Sequence, residues 1–254
     1  MTRPPGGAAG SILLTGGGGR LGRELLRLLP GLVAPSRAEL DLTRPASVGR
    51  AFGFHRPAVV VHAAAFTDVA RAERDREECW AVNVRGTAAV VREAARHGCA
   101  LVHISTDYVF HGSRGYYRED EPPGPVRNYY ALSKLAAEEV ARLAPRHLVI
   151  RTSFRPRDWP HPVAFVDLYT SQDYVDVVAP DIALAIVKWR QIPYDTLHIA
   201  TERKTAFELA RRRRPDVRPG RRSEAAVDLP EDISLDIARW RGLKAGWLGE
   251  EGPG

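Results

Sequence analysis

In Tyr130-Ala131-Leu132-Ser133-Lys134 a phenol and an ammonium stand four residues apart, so on a helix they project from one face as neighbours. A free tyrosine has a pKa near ~10 and relays protons poorly at neutral pH, but an adjacent cation favours the phenolate and brings that value toward the working range. Tyr130 is thus placed to protonate a ketone oxygen, with Lys134 tuning it. Tyr129 competes for the role but lacks the spacing to Lys134. Upstream, His103-Ile104-Ser105-Thr106-Asp107 ends an apolar run, and the Thr106 hydroxyl is expected to hold the same oxygen.

Such an acid needs a hydride source, and the chain offers a place for one. Thr15-Gly16-Gly17-Gly18-Gly19-Arg20-Leu21-Gly22 follows an apolar strand and opens a helix, with Gly16, Gly19 and Gly22 at the GxxGxxG positions of a dinucleotide loop. Glycines there let bare backbone turn tightly, approach a pyrophosphate and pack helix on strand, with the helix N-terminus facing the negative charge. Where NAD binding would want an acid after the second strand, the chain reads Ala34-Pro35-Ser36-Arg37. No carboxylate is expected at that point. Arg37 with the Ser36 hydroxyl suits the 2′-phosphate of NADP, so NADPH is the expected cofactor and NAD the alternative. Lys134 would then also grip the nicotinamide ribose.

The elements that must position these groups are legible in the hydropathy. Strand-like Ser11 to Thr15, helix-like Leu21 to Leu29, strand Leu32 to Ala34, helix Ala46 to His55 and strand Ala58 to His62 alternate β-α-β-α-β. A long helix over Glu77 to His97, a strand at Leu101 to Ser105, a loop, a helix from Tyr129 to Leu143 and a strand at Leu148 to Thr152 complete the pattern. Strands apolar throughout suit a parallel sheet covered on both faces. The expected fold is α/β, a doubly wound parallel sheet of Rossmann type over residues 1–152, with a small C-terminal substrate lobe over 153–254, some of whose segments return to the first domain. Beyond the prolines at 156, 160 and 162, helices are expected at Asp181 to Trp189 and Thr205 to Arg213, with a strand at Leu197 to Ala200. The Gly/Pro-rich ends, 1–10 and 249–254, read as frayed.

Composition excludes several classes. Apolar stretches such as Ala58 to Ala65 are too short to cross a bilayer, and two cysteines, Cys79 and Cys99, make no disulfide framework, so a cytoplasmic location is expected. The net charge of +6 arises between Thr201 and Arg222, which hold nine basic residues against three acids. That run reads as a solvated helix face, and neither nucleic-acid nor membrane binding is expected. Asp68, Glu73 and Glu119 to Glu121 fit no ligand spacing, so no metal is expected. His62, His103 and His111 read as packed or solvated, and Cys79 and Trp80 as core.

Six stretches, TGGGGRLGREL, AELDLTRPASV, PAVVVHAAAFTDVARAE, AVNVRGT, ISTDYVFHG and YYALSKLAAEE, together resemble the extended short-chain dehydrogenase/reductase family over Ser11 to Thr152. The likeness is to its branch that reduces nucleotide-linked keto-sugars. The resemblance implies cofactor contacts at Gly19, Arg20 and Leu21, at Asp41 and Leu42, at Ala63, Ala64 and Ala65, and at Ile104. It places Thr106, Asp107, Tyr130 and Lys134 in the catalytic motifs, and Thr106, Asp107 and Phe154 against substrate. The implied reaction is NAD(P)H-dependent reduction of the 4-keto group of a nucleotide-linked deoxysugar such as dTDP-4-dehydro-L-rhamnose. Alternatives within the likeness are another epimerase or reductase of sugar nucleotides, or a non-catalytic NADP-binding regulatory subunit; a homodimer is left open. Past Arg151 the chain departs: Phe154-Arg155-Pro156 stands where the family has Trp followed by Tyr-Gly.

Overall fold

A computed structural model describes residues 11–225 and 228–250. Its elements run β1 (Ile12–Thr15), α1 (Arg20–Leu28), β2 (Leu32–Val33), α2 (Pro45–His55), β3 (Val59–His62), α3 (Val69–Arg74) and α4 (Arg76–Trp80). A π-helical turn, Ala81–Arg85, leads into α5 (Gly86–His97), followed by β4 (Ala100–Thr106), α6 (Tyr129–Ala141) and β5 (His147–Thr152). Then come β6 (Phe154–Arg155), β7 (Val163–Phe165), β8 (Tyr169–Thr170), β9 (Asp173–Tyr174), α7 (Val175–Val187), β10 (Thr196–His198), β11 (Lys204–Thr205), α8 (Ala206–Arg211), β12 (Arg218–Gly220) and α9 (Ala238–Glu250).

Six strands form one parallel sheet in the order β2-β1-β3-β4-β5-β10. Its strands read as continuously apolar because both faces are covered. Leu13, Val60 and Leu101 point into the layer of α2 and α5, whereas Leu14, Val61 and Val102 point into the layer of α1 and α7. The chain leaves β1 toward β2 on one side and returns to β3 on the other. The carboxyl ends of β1 and β3 therefore part at the point where such sheets bind ligands.

Past β5, two kinds of structure alternate. Trp159, Ala164, Leu168, Tyr174, Ala206, Leu209 and Val217 make a small core of their own, whereas α7, β10 and the tryptophans of α9 join the main one. The sequence pattern misses the start of α7, which begins at Val175 and runs through Pro180 rather than after it. Proline inside a helix costs about 3 kcal/mol. Val175, Val178, Ile182 and Ile186 are buried, at about 1.5–3 kcal/mol each, and that gain exceeds the proline's cost. Helix α9 is likewise unanticipated, since Gly242, Gly246 and Gly249 weaken its helical signal. It is pinned by Trp240 and Lys244, whose side-chain nitrogens donate to the Asp181 carboxylate at 2.9 and 2.6 Å. Residues 249 and 250, expected to fray, close this helix; the rest of the expected frayed ends lies outside the described residues.

The basic run is a solvated face only in part: Arg211, Arg218 and Arg221 are exposed, whereas other cations in it are paired. Arg203 pairs with Asp232, Arg212 with Asp173 and Arg213 with Asp176, at 2.6, 2.8 and 2.8 Å, and Lys204 is buried 3.6 Å from Asp173. These cations tie α8 and its flanking loops to the small core. No helix among the described residues is long and apolar enough to cross a membrane.

Candidate active site

A cleft of about 1220 Å³ runs along the carboxyl ends of the sheet, from the glycine loop after β1 to Phe154 and Gln172. Gly16, Gly19, Arg20, Leu21 and Gly22 line its first part. Gly16 has φ +78°, and a Cβ there would meet the Ala64 amide at 2.7 Å; one on Gly22 would meet the Gly16 carbonyl at 2.2 Å. Only glycine fits either place. Gly19 caps α1 without a side-chain bond, so the helix's first amides face the cleft uncapped by protein.

Ser36, Arg37, Asp41 and Leu42 line the wall beyond β2. The Ser36 amide and hydroxyl both donate to the Glu39 carboxylate at 2.8 Å, and these bonds hold Glu39 below the usual carboxylate range. An acid does therefore stand beside this corner, three residues later than the spacing suggests, and it takes the Ser36 hydroxyl. Asp41 accepts from the Thr43 hydroxyl and amide at 2.7 and 2.9 Å, which keeps it ionised.

Ala63, Ala64 and Ala65 form the wall after β3. They are held from behind by His62. Burial pushes its imidazole down to about 3, so the ring is neutral. The Thr87 hydroxyl donates to the Asn83 carbonyl and so accepts from Nε2 of His62 at 3.0 Å. Nδ1 then accepts from Thr15 at 2.7 Å, and Thr15 in turn accepts from the Ala64 amide at 3.2 Å. His103 packs beside His62 with its ring centroid 5.3 Å away, fully buried, and His111 reaches the Pro125 carbonyl in a loop.

Thr106, Tyr130, Lys134, Ile104 and Phe154 line the far part of the cleft. Asn128 caps α6 by accepting from the Ala131 amide at 2.8 Å, which starts the helix at Tyr129, one residue before Tyr130, and aims Tyr130 and Lys134 at β4. The Lys134 ammonium donates to the Ile104 carbonyl at 2.7 Å, and burial lowers its pKa to about 8. The phenol moves the other way. Burial first, then the charge of Asp107, raise the Tyr130 pKa above its ordinary value, outweighing the Thr106 hydroxyl that favours the phenolate. The expectation that Lys134 lowers the phenol is not met in this structure, because desolvation dominates. Tyr130 stands as a protonated acid.

Asp107, expected against substrate, does not reach the cleft. The chain turns into a short 3-10 segment at Asp107–Val109, which swings its carboxyl behind Thr106. There it accepts from the Thr106 hydroxyl at 3.1 Å, and burial pushes it up to about 6. Thr106 meanwhile accepts from the Tyr108 amide at 3.2 Å. Among the described residues no cluster of three or more His, Cys, Asp or Glu could hold a metal.

Sequence reasoning misses Asn83. The predicted helix 77–97 is three pieces, and the wide turn in the middle buries Asn83. Its amide accepts from the Phe66 amide at 2.7 Å and donates to the Phe66 carbonyl at 3.1 Å and to Ser133 at 2.9 Å. Ser133 in turn donates to the Tyr130 carbonyl at 2.7 Å. One side chain thus joins the Ala63–Phe66 wall to the helix carrying Tyr130 and Lys134. Removing it strands buried partners, so Asn83→Ala is expected to cost about 1–3 kcal/mol in thermal unfolding and to weaken nucleotide binding; an unchanged melting curve would contradict the bracing role.

A family model, RmlD substrate binding domain, matches residues 10–179. The chain is 37% identical over 150 residues to a dTDP-4-dehydrorhamnose reductase of Aggregatibacter actinomycetemcomitans, covering 56% of this chain and 51% of that one. It spans about half the length of the curated relatives it matches. Its fold is similar to that of dTDP-4-dehydrorhamnose reductase from Bacillus anthracis, crystallised with NADP, at TM-score 0.80 and 26% identity, covering 95% of this chain and all 100% of that one. It is also similar to a hypothetical dTDP-4-dehydrorhamnose reductase from Sulfolobus tokodaii, at TM-score 0.79 and 31% identity, covering 91% and 94% of the two chains.

Proposed function

The chain belongs to the RmlD substrate binding domain family, and from that premise we propose that it reduces the 4-keto group of a nucleotide-linked deoxysugar, dTDP-4-dehydro-L-rhamnose, with NADPH. The observation that carries this reading is a single cleft with a glycine cradle at one end and a buried, protonated Tyr130 beside Thr106 and Lys134 at the other.

The cradle fits a dinucleotide. Close glycine backbone and the uncapped N-terminus of α1 would hold the pyrophosphate, and Ala63 to Ala65 with Ile104 would bound the nicotinamide end. Bound there, the cofactor supplies hydride to the carbonyl carbon. Tyr130 gives its phenolic proton to the carbonyl oxygen, which becomes a hydroxyl, and is left as a phenolate. Lys134 stabilises that phenolate and holds ribose hydroxyls. Thr106 holds the carbonyl oxygen from the other side, exchanging its bond to Asp107 for one to substrate. Phe154 lies against the sugar. In this reading residues 1–152 carry the cofactor and 153–254 shape the substrate end, and the reaction takes place in the cytoplasm.

Incubating the chain with dTDP-4-dehydro-L-rhamnose and NADPH is expected to bleach the reduced-nicotinamide absorbance. Binding of NADPH without turnover on any sugar nucleotide would overturn the proposal. Preference for NADPH rests on Arg37, since Ser36 is tied to Glu39. Arg37→Ala is expected to raise the KM for NADPH roughly tenfold or more and leave that for NADH alone. Equal efficiency of the unaltered chain with both cofactors would refute it.

A further inference from the structure

Arg155 lines the cleft beside Ser153, Phe154, Pro156 and Gln172. It follows β5 through β6, whereas the glycine loop and Arg37 follow β1 and β2; the strand order sets it at the opposite end of the cleft from the dinucleotide cradle. Its guanidinium is held in place by neutral groups. Nε donates to the Gln172 amide oxygen at 3.0 Å, Gln172 is fixed by donating to Ser153 at 2.6 Å, and the plane lies over Trp159 with 5.1 Å to the ring centroid.

The two terminal nitrogens have no hydrogen bond or ion pair among the described residues. Arg20, Arg23 and Arg37 also line the cleft without a side-chain partner among the described residues, but they are exposed, whereas Arg155 is part-buried and fixed by Gln172 and Trp159; the remaining cations are engaged. Arg71 pairs with Asp75 and Glu78, and Lys134 donates to Ile104. Asp107, Tyr108, His161 and Tyr174 feel the charge of Arg155, yet neither acid nor imidazole pairs with it. A part-buried guanidinium fixed on one edge and one face, with a free pair of donors, matches the fork geometry of a phosphate. Burying a cation without a directly paired carboxylate is costly, and Asp107 acts on Arg155 only through its charge, which favours an anionic ligand as its partner.

We propose that Arg155 binds a phosphate of the diphosphate joining sugar to nucleoside, and so selects nucleotide-linked over free sugars. The identity of that ligand rests on the reductase reading; the anion-binding role of Arg155 does not.

The test compares binding of thymidine diphosphate and thymidine by calorimetry to the unaltered chain, Arg155→Gln and Arg155→Lys, each loaded with NADPH to verify folding. The preference for the diphosphate over the nucleoside is expected to fall roughly 10- to 100-fold in Arg155→Gln. Arg155→Lys should fall between, since it keeps the charge and loses the fork. A purely structural role would weaken both ligands alike; an unchanged preference, or no binding of thymidine diphosphate by the unaltered chain, overturns the proposal. Turnover of dTDP-4-dehydro-L-rhamnose with the same KM in Arg155→Gln also overturns it while leaving the reductase reading intact. Diphosphate binding through Arg155 without reduction of any keto-sugar sustains it and removes that reading.

Discussion

Tyr130→Phe is expected to lower kcat about 10³-fold while NADPH binds within about twofold of its original affinity. The substitution removes one hydroxyl and keeps the ring, which packs with Phe66 and Cys79 and lies edge-on to Tyr108 with centroids 6.1 Å apart. Stability should therefore change little. The proton is the whole difference. Burial and the charge of Asp107 hold the phenol protonated in the free protein, so the acid is ready before substrate arrives; Tyr108, a second phenol on this wall, is also raised by burial, and the substitution separates the two. Lys134 is committed to the Ile104 carbonyl, and the Thr106 proton goes to Asp107. Rates within about tenfold of the original, measured under single-turnover conditions, would assign the proton to another group.

Gly22→Ala is expected to abolish nucleotide binding at concentrations that saturate the original chain, a loss of about 100-fold or more. The added Cβ would sit 2.2 Å from the Gly16 carbonyl oxygen, 2.7 Å from Gly17 Cα and 2.9 Å from the Gly16 carbonyl carbon. All three are backbone, so the loop must shift as a body and α1 with it. Gly18 makes the control, because a Cβ there meets no heavy atom within 4 Å. Fluorescence titration with NADPH should show Gly18→Ala binding nearly as before. Equal affinities of the two variants would mean that the loop does not cradle the nucleotide.

The sheet is legible because its strands are buried on both faces: residues 12–14 of β1 and 59–61 of β3 are apolar throughout, and β4 and β5 carry apolar runs at 100–102 and 148–150 beside their buried polar residues. The glycine loop was legible because its spacing encodes a steric requirement that Gly16 and Gly22 meet literally. The Thr205 helix was also visible, since its hydroxyl and Glu208 form a capping box readable as residue types.

What escaped depends on contacts distant in sequence. Asn83 gains its importance from Phe66 and Ser133, and nothing in its immediate neighbourhood announces the wide turn that buries it. Glu39 lies beyond the end of β2, where spacing alone does not connect it to the cofactor corner, and a turn returns it to Ser36. Pro180 marks a helix boundary by local rules, and only packing against the main core overrides it. The motif around Asp107 points to the cleft, but the backbone turn after β4 decides where its carboxyl goes. The phenol's pKa was expected to follow its ionic neighbour, and burial proved the larger influence.

The central claim is that hydride passes from the cofactor to the keto carbon of a sugar held under Tyr130. The direct measurement is to run the reaction with NADPH carrying deuterium at C4 of the nicotinamide and to examine the sugar product by NMR and mass spectrometry. The account predicts that, with one of the two C4 epimers of the labelled cofactor, a single deuterium appears at C4 of dTDP-L-rhamnose. Oxidation of the cofactor with no deuterium at that carbon from either epimer would contradict it.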